Sequence, residues 1–213
     1  MLLRIVSRIV SKAPTMARWG AARLGAAAFG RPREIGRGLR IGPTVRIGKG
    51  AVIGTDVRIE GNIVIGDHVT ISSGVLLLGN IVIGSRTCVG RYTYMGTGPD
   101  GQLSVGQDVL VNDFSTVGAM KAVVIEDHCI FAPHALITDS THGLDKDQHI
   151  KHAPIRSEPV SVGEGVWIGS HVVVLKGSRI GARSAIGAHS LVNGEIAADS
   201  VAFGIPARVR RVR

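Results

Sequence analysis

The chain has 213 residues and a net charge of +9, a length that fits one domain or one domain with an extension. The charge is uneven, because residues 1–40 hold nine Arg or Lys and one acidic residue, whereas residues 41–207 hold twelve basic and fifteen acidic residues. No basic patch is interleaved with aromatic residues, which argues against nucleic-acid binding. Cys88 and Cys129 both fall inside the repeat described below, so we expect core thiols in a reducing cytosol, not a disulfide.

Residues 1–40 are predicted to form a basic, amphipathic helical extension. Apolar residues alternate with Arg4, Arg8 and Lys12 at helical spacing. Arg interrupts the apolar runs too often for a transmembrane span, and no secretory cleavage site is evident. We therefore expect a cytoplasmic protein. Residues 1–30 have two compatible interpretations: peripheral contact with the anionic inner face of the cytoplasmic membrane, or a helix that caps the first coil.

A six-residue repeat dominates the chain from Ile41 onward. Each hexad opens with an aliphatic residue, often followed by Gly, and has a small or β-branched residue at its fifth position. The first nine hexads begin at Ile41, Ile47, Ile53, Ile59, Ile65, Ile71, Leu77, Ile83 and Val89. A strict period of six is incompatible with a long amphipathic α-helix and is typical of a parallel β-helix. We expect this all-β domain over residues 41–207. We expect the Gly at the second position to adopt backbone angles that are unfavourable for a residue with a Cβ.

The longest interruption of the repeat is a polar loop, residues 138–161. It carries three of the eight histidines, His142, His149 and His152. A loop rich in titratable groups that leaves a rigid scaffold is where function is expected. After the repeat, residues 208–213 form a basic C-terminal tail.

Several segments of the chain resemble a known family. They are Val166–Ser170, Ile186–Ser190 and Gly204–Arg208, together with Asp139–Gly143 in the loop. The chain resembles the left-handed β-helix (hexapeptide-repeat) acyltransferases, most closely the sugar and polysaccharide O-acetyltransferases such as the maltose and galactoside acetyltransferases. This resemblance implies a homotrimer with active sites between neighbouring chains. It also implies acetyl-CoA as co-substrate, a sugar or glycan acceptor, and no tightly bound cofactor or metal.

The resemblance also assigns roles to residues. His142 matches the catalytic histidine, and imidazole suits a general base because its ordinary pKa lies near neutral pH. The backbone amide of Ser170 is the candidate donor to the oxyanion. The contacts to CoA carried over by position are Trp167, Gly169, Ser170, Ala188, Asn193 and Arg208. The contacts to the acceptor are Asn112, Asp113, Ser115 and Asp139.

Two other functions remain open at this point. His128 and His134 are one hexad apart, and with His142 they invite a zinc site like that of the β-helical carbonic anhydrases, since three imidazoles and a water suit Zn²⁺. The second alternative is a non-catalytic β-helical scaffold. The remaining histidines of the repeat are interpreted as solvated corner residues. The identity of the acceptor and of the acyl group does not follow from the sequence.

Overall fold

A computed structural model describes residues 28–29, 34–144 and 146–212, with backbone only for 28–29. The predicted helical extension, residues 1–40, therefore lies outside the described residues except at 28–29 and 34–40, where short strands and turns occur and no helix. In the described part of the chain, no helix has the length and apolarity needed to cross a membrane.

Short strands make up nearly all of the regular structure. Those before the long loop are β1 (Ala28–Phe29), β2 (Glu34–Ile35), β3 (Arg40–Ile41), β4 (Arg46–Ile47), β5 (Val52–Ile53), β6 (Arg58–Ile65), β7 (Thr70–Ile71), β8 (Leu76–Ile83), β9 (Cys88–Val89), β10 (Tyr94–Thr97), β11 (Gln102–Val105), β12 (Leu110–Val111), β13 (Thr116–Ala119), β14 (Ala122–Ile125), β15 (Ile130–Phe131) and β16 (Leu136–Thr138).

The loop and the coils after it contain the remaining elements. They are β17 (Ser140–His142), a 3-10 turn (Ile150–His152), β18 (Ile155–Ser157), β19 (Val160–Val162), β20 (Trp167–Ile168), β21 (Val173–Val174), β22 (Arg179–Ile180), β23 (Ala185–Ile186), β24 (Leu191–Val192), β25 (Glu195–Ile196), β26 (Ser200–Gly204) and β27 (Ala207–Val212).

These strands form a left-handed parallel β-helix with three faces, which confirms the predicted fold. Face one contains β3, β10, β13, β16, β21 and β24, and face two contains β1, β4, β11, β14, β19, β22 and β25. Face three contains β2, β5, β7, β9, β12, β15, β20, β23 and β26. The eight-residue strands β6 and β8 run around the corner from face one to face two, so these two faces form one continuous sheet.

The core is the stack of inward-pointing hexad residues. The leading and fifth residues of successive hexads are almost fully buried, as with Ile53 at 1% exposure and Val57 at 0%. Each coil covers the apolar side chains of the next, so one continuous core extends from Val45 to Ala207. The six-residue period therefore reflects one strand and one corner per face.

Left-handed backbone conformations occur at the fourth hexad position, not at the second. Asp56 and His68, at fourth positions, have φ of 54° and 57°. Glycine at the second position allows neighbouring coils to approach closely. A Cβ on Gly54 would lie 2.5 Å from the backbone nitrogen of Ser73 in the next coil. The expectation that this glycine provides unusual backbone angles is wrong, because the tight spacing between coils is what excludes a side chain there.

Strand pairing extends beyond both predicted boundaries of the repeat. Below residue 41, β1 pairs with β4 and β2 pairs with β5, both in parallel. Beyond residue 207, β27 turns back and pairs antiparallel with β26, so most of the predicted tail is a strand. The solenoid thus begins with short parallel strands and ends with an antiparallel one.

Candidate active site

The long loop leaves the solenoid at the corner between faces one and two, which we call the loop edge. The loop begins after β16 and returns to β19, and its two legs pair as the antiparallel hairpin β17–β18. His142 is the last residue of β17 and lies opposite Ile155 in this hairpin. The amide of Gly143 donates a hydrogen bond of 2.9 Å to the carbonyl of Pro154, which extends the hairpin by one residue.

Asp139 fixes the first leg of the loop. Its carboxylate accepts hydrogen bonds of 2.7 Å from the backbone amides of Met120, Lys121 and Ala122. The residue is 0% exposed. The expectation that Asp139 contacts the acceptor does not fit this position, because the side chain is buried and is turned towards the coil below.

Glu158 fixes the second leg. Its amide donates to the carbonyl of Asp139, and its own carbonyl accepts from the amide of Gly177 in the next coil. Its carboxylate pairs with the ammonium of Lys176, which lowers the pKa of Glu158 from its ordinary value. Both legs of the loop are thereby attached to the coils below and above, and His142 projects from a fixed base.

His142 is exposed, and no hydrogen-bond partner of its imidazole lies among the described residues. An exposed imidazole on a hairpin is free to accept a proton from a bound hydroxyl. The position of this side chain is compatible with the role of general base, which stays a prediction.

A second candidate region lies at the corner between faces three and one, which we call the ring edge. Five aromatic or imidazole rings stack along it at its fourth hexad positions. From the lower to the upper coils they are Tyr92, Phe114, His134, His171 and His189, with centroids 4.7–5.6 Å apart. The histidines among them are exposed, as expected, but they also pack on one another, which the sequence interpretation did not foresee. The signal was present: rings occupy the same corner in five successive coils.

Ser170 lies beside this stack. Its hydroxyl is 2.8 Å from the carbonyl of Pro133 and 2.9 Å from Nδ1 of His171. A hydroxyl has one proton, and the carbonyl can only accept it, so both contacts are hydrogen bonds when the His171 tautomer carries its proton on Nδ1. This pair of contacts fixes the turn that carries the Ser170 amide.

The amide of Ser170 is open in the described structure, as is that of Ser73, in contrast to the amides of Thr55 and Arg91 at equivalent positions in lower coils. The amide of Thr55 donates to the hydroxyl of Ser73, and the amide of Arg91 donates to the carboxylate of Asp113 at 2.7 Å. In each case the acceptor is the side chain at the same position of the next coil. For Ser170 that position is Ala188, which has no acceptor atom, and no described residue accepts a hydrogen bond from the Ser170 amide. An N–H group held in this way suits a developing oxyanion.

The other predicted CoA contacts divide between two corners. Trp167, 52% exposed on face three, opens β20, the strand that leads directly into the turn of Gly169 and Ser170, and Ala188 is exposed directly above that turn. A Cβ on Gly169 would lie 2.6 Å from the Ala188 nitrogen, so this glycine is required for coil spacing. Arg208 is exposed on β27, beside face three. Asn193 instead follows β24 and lies at the loop edge, so the structure does not bring it together with the others in one chain.

The predicted acceptor residues Asn112 and Asp113 lie on the ring edge, two coils below Ser170. Asp113 is paired with the guanidinium of Arg91, whose hydrogen bonds lower the pKa of this carboxyl. Ser115 is 1% exposed, and its hydroxyl is buried without a hydrogen-bond partner in the described structure. The expectation that Ser115 contacts the acceptor is therefore wrong for this conformation, because the fifth hexad position points into the core.

The zinc alternative finds no support in this arrangement. His128 lies at the corner between faces two and three, where Nδ1 is 3.7 Å from the carboxylate of Asp108, whereas His134 belongs to the ring edge. Across the described ranges, no group of three or more His, Cys, Asp or Glu side chains is placed to hold a metal ion.

Comparison with known proteins supports the resemblance. Residues 159–194 match the sequence profile described as bacterial transferase hexapeptide (six repeats). The chain is similar to the galactoside O-acetyltransferase of Escherichia coli (strain K12), with 35% identity over 109 residues, which cover 51% of this chain and 53% of that protein. It is also similar to a candidate lipopolysaccharide biosynthesis O-acetyl transferase, WbbJ, of the same strain, with 32% identity over 117 residues, covering 51% of this chain and 60% of that one. The chain thus spans about half the length of the curated relatives it matches.

Solved structures agree on the fold. The UDP-N-acetylglucosamine acyltransferase from Campylobacter jejuni superimposes with a TM-score of 0.64 at 16% identity, covering 88% of this chain and 73% of that one. The predicted resemblance to hexapeptide-repeat acyltransferases is confirmed by the matched repeats and by these relatives.

Proposed function

We propose that this hexapeptide-repeat protein is an acetyl-CoA-dependent O-acetyltransferase that acts on a hydroxyl of a sugar or polysaccharide precursor. The observation that carries the proposal is the pairing of an exposed imidazole, on the one long break of the repeat, with an upper ring edge whose Ser170 amide is left open. The names of the sugar acetyltransferase relatives point to the same reaction.

His142 acts as the general base. It takes the proton of the acceptor hydroxyl as the oxygen attacks the carbonyl carbon of the acetyl thioester. The carbonyl oxygen gains negative charge, which the Ser170 amide stabilises. The carbon–sulfur bond then breaks, the new ester remains on the acceptor, and His142 delivers its proton to the departing thiolate of CoA.

The donor lies along the upper ring edge and face three. Gly169 and Ala188 leave room for the pantetheine arm to approach the backbone, and Trp167 offers an exposed apolar face beside it. Arg208 supplies a positive charge for a phosphate of the nucleotide. Asn112 and Asp113 lie lower on the same edge, where they are positioned for the acceptor.

The active form is a homotrimer in which each site takes groups from two chains. Within one chain, His142 leaves from the loop edge, whereas Ser170 and Ala188 belong to the ring edge, and the full width of face one separates these two corners. A neighbouring chain that sets its ring edge beside the loop edge brings the base and the open amide together.

The reaction is tested by incubating purified protein with acetyl-CoA and a panel of sugars, nucleotide sugars and glycan fragments, and by measuring release of the CoA thiol. We expect release that depends on one class of acceptor. A protein that neither binds acetyl-CoA nor releases thiol with any acceptor contradicts the proposal and favours the scaffold alternative.

The shared site is tested with hybrid trimers of two strongly impaired variants, His142→Ala and Ala188→Asp, assembled from differently tagged chains. If loop and ring edge come from different chains, about a quarter of the sites in a random mixture combine an intact loop with an intact edge, and activity returns. If each site lies within one chain, every hybrid remains impaired.

A further inference from the structure

Four exposed cations surround the two lowest described coils of the solenoid, since Arg37 and Arg40 lie in the first coil and Arg46 and Lys49 in the coil above β1. Arg40 projects from face one, Arg46 from face two, and Arg37 and Lys49 from two of the corners. We call these four residues the basal ring. Glu34 is the only acidic residue between positions 34 and 55.

Acidic groups of the next coil lie close to the basal ring. The hydrogen bond from Arg58 and the charge of Arg40 lower the pKa of Glu60. The Asp67 carboxylate accepts the amide of Lys49. None of the four basal-ring side chains forms an ion pair with an acidic group of the described chain, unlike Arg86 and Arg91 higher up, which pair with Asp108 and Asp113. The sequence before it continues the same charge, since residues 1–33 contain seven Arg or Lys and no acidic residue. Positive charge is therefore concentrated at the lower end of a body that is slightly acidic.

We propose that the solenoid docks end-on, through the basal ring, onto an anionic lipid surface. A flat surface approaches all four cations at once only when the solenoid axis points away from it, because the cations lie on different sides of two neighbouring coils. Basic groups near anionic headgroups attract additively, and salt screens that attraction. In a trimer of parallel chains the three basal rings face the same surface.

End-on docking sets the height of the active site. Five strand spacings separate β3 from β16 on face one, and each spacing is about 4.8 Å. The base of the loop that carries His142 then stands roughly 24 Å above the lower coil. This consequence rests on the proposed acetyltransfer: the acceptor hydroxyl belongs to a glycan long enough to reach that height, not to the sugar next to a lipid anchor.

The docking surface is tested by sedimentation with vesicles of phosphatidylcholine, with and without phosphatidylglycerol, at low and high salt. The basal variant is Arg37→Gln/Arg40→Gln/Arg46→Gln in the full chain. The matched control removes three cations from the opposite end, Arg179→Gln/Arg210→Gln/Arg211→Gln. We expect the basal variant to need at least tenfold more anionic lipid for half-binding, with little change for the control.

The orientation is tested with tryptophan fluorescence. The chain has two tryptophans, Trp19 and Trp167, so Trp19→Phe leaves a single probe on β20. This strand is six spacings above β2 on face three, which is roughly 29 Å. Brominated lipids in the vesicles are expected to leave Trp167 unquenched although the protein is bound.

The two measurements decide the proposal separately from catalysis, because neither requires turnover. Equal binding by the basal variant and wild type, or equal weakening by the basal and control variants, overturns the docking surface. Quenching of Trp167 shows side-on binding and overturns the end-on orientation. Wild-type protein that stays in the supernatant with anionic vesicles at low salt overturns the proposal and favours an N-terminal segment that only covers the first coil.

Discussion

The loop edge and the ring edge treat backbone N–H groups in opposite ways. At the loop edge, Asp139 accepts three backbone amides at 2.7 Å, and its carboxylate is fully enclosed. At the upper ring edge, the coil above Ser170 presents Ala188, and the Ser170 amide is left without an acceptor in the described structure. At the loop edge the backbone N–H groups are used to hold the loop, whereas at the upper ring edge the N–H group of Ser170 stays accessible.

The contrast shows that single residues determine which backbone N–H groups of a uniform scaffold are hydrogen-bonded and which are open. The lower ring edge has the same corner geometry as the upper part, yet the side chains of Ser73 and Asp113 accept the amides of Thr55 and Arg91 there. The side chain at one position of the next coil, not a change of fold, thus decides whether such an amide is bonded or open. Each prediction below alters one side of this comparison.

The largest effect is expected from His142→Ala at the loop edge. Loss of the general base should lower kcat by roughly 10²–10⁴-fold, while acetyl-CoA binding changes little. Steady-state kinetics with calorimetric titration of CoA measure both. His149→Ala, in the same loop, is the control and should remain close to wild type. A near wild-type kcat for His142→Ala would contradict the assignment of His142 as the general base.

Closing the ring edge is the next test. Ala188→Asp places a carboxylate where Asp113 accepts the Arg91 amide in a lower coil, so the Ser170 amide should be occupied internally. We expect kcat to fall about 10²-fold, the effect of losing one oxyanion donor.

The control for Ala188→Asp is Ala182→Asp, which adds the same charge at the equivalent turn position on the corner between faces two and three. It should leave the kinetics unchanged. If both variants lose activity equally, general electrostatics or misfolding explains the loss, and the open amide does not.

Opening the loop edge should cost stability. Asp139→Ala leaves the amides of Met120, Lys121 and Ala122 without their acceptor, and we expect a loss of about 2 kcal/mol in the free energy of unfolding. Urea unfolding measures the change. Asp100→Ala, an exposed turn residue on the same edge, should change stability by less than about 0.5 kcal/mol. Equal midpoints for both variants would show that Asp139 does not anchor the loop.

The smallest effect is expected at Cys129, which lies near the corner between faces two and three, away from the loop edge and the ring edge. Burial raises the pKa of this thiol to about 12. Between pH 9 and 12 the unfolded chain loses the proton and the folded chain keeps it, so stability should fall as pH rises, by up to roughly 1.4 kcal/mol per pH unit.

Cys129→Ala should remove this part of the alkaline loss, as seen in unfolding midpoints from pH 8 to 10.5. Cys88→Ala is the comparison variant. Burial raises the pKa of the Cys88 thiol too, but this residue is only partly buried. Identical pH slopes for wild type and Cys129→Ala would contradict the assignment.

The fold was predictable because the six-residue period places one residue type in the interior at every turn. The exposed position of His142 was predictable because the residue lies in the one long break of that period, and its role as general base stays a prediction. Asp139 and Ser115 were assigned wrongly, since a motif does not show which way a side chain points: one is buried beneath the loop and the other faces the core. The stacked rings and the open amide of Ser170 depend on contacts between residues that are 18 to 37 positions apart in the sequence. Such contacts can be predicted only when the length of each coil is known.

The antiparallel strand β27 has a consequence for self-assembly. A parallel solenoid that ended in an open coil would present a template on which a second molecule could add its first coil, and repeated addition would build a filament. Because β27 runs against β26, its free side does not offer the parallel pattern that another first coil requires. The exposed arginines of β27 add charge to that boundary, and growth of the stack is arrested on face three at its upper end.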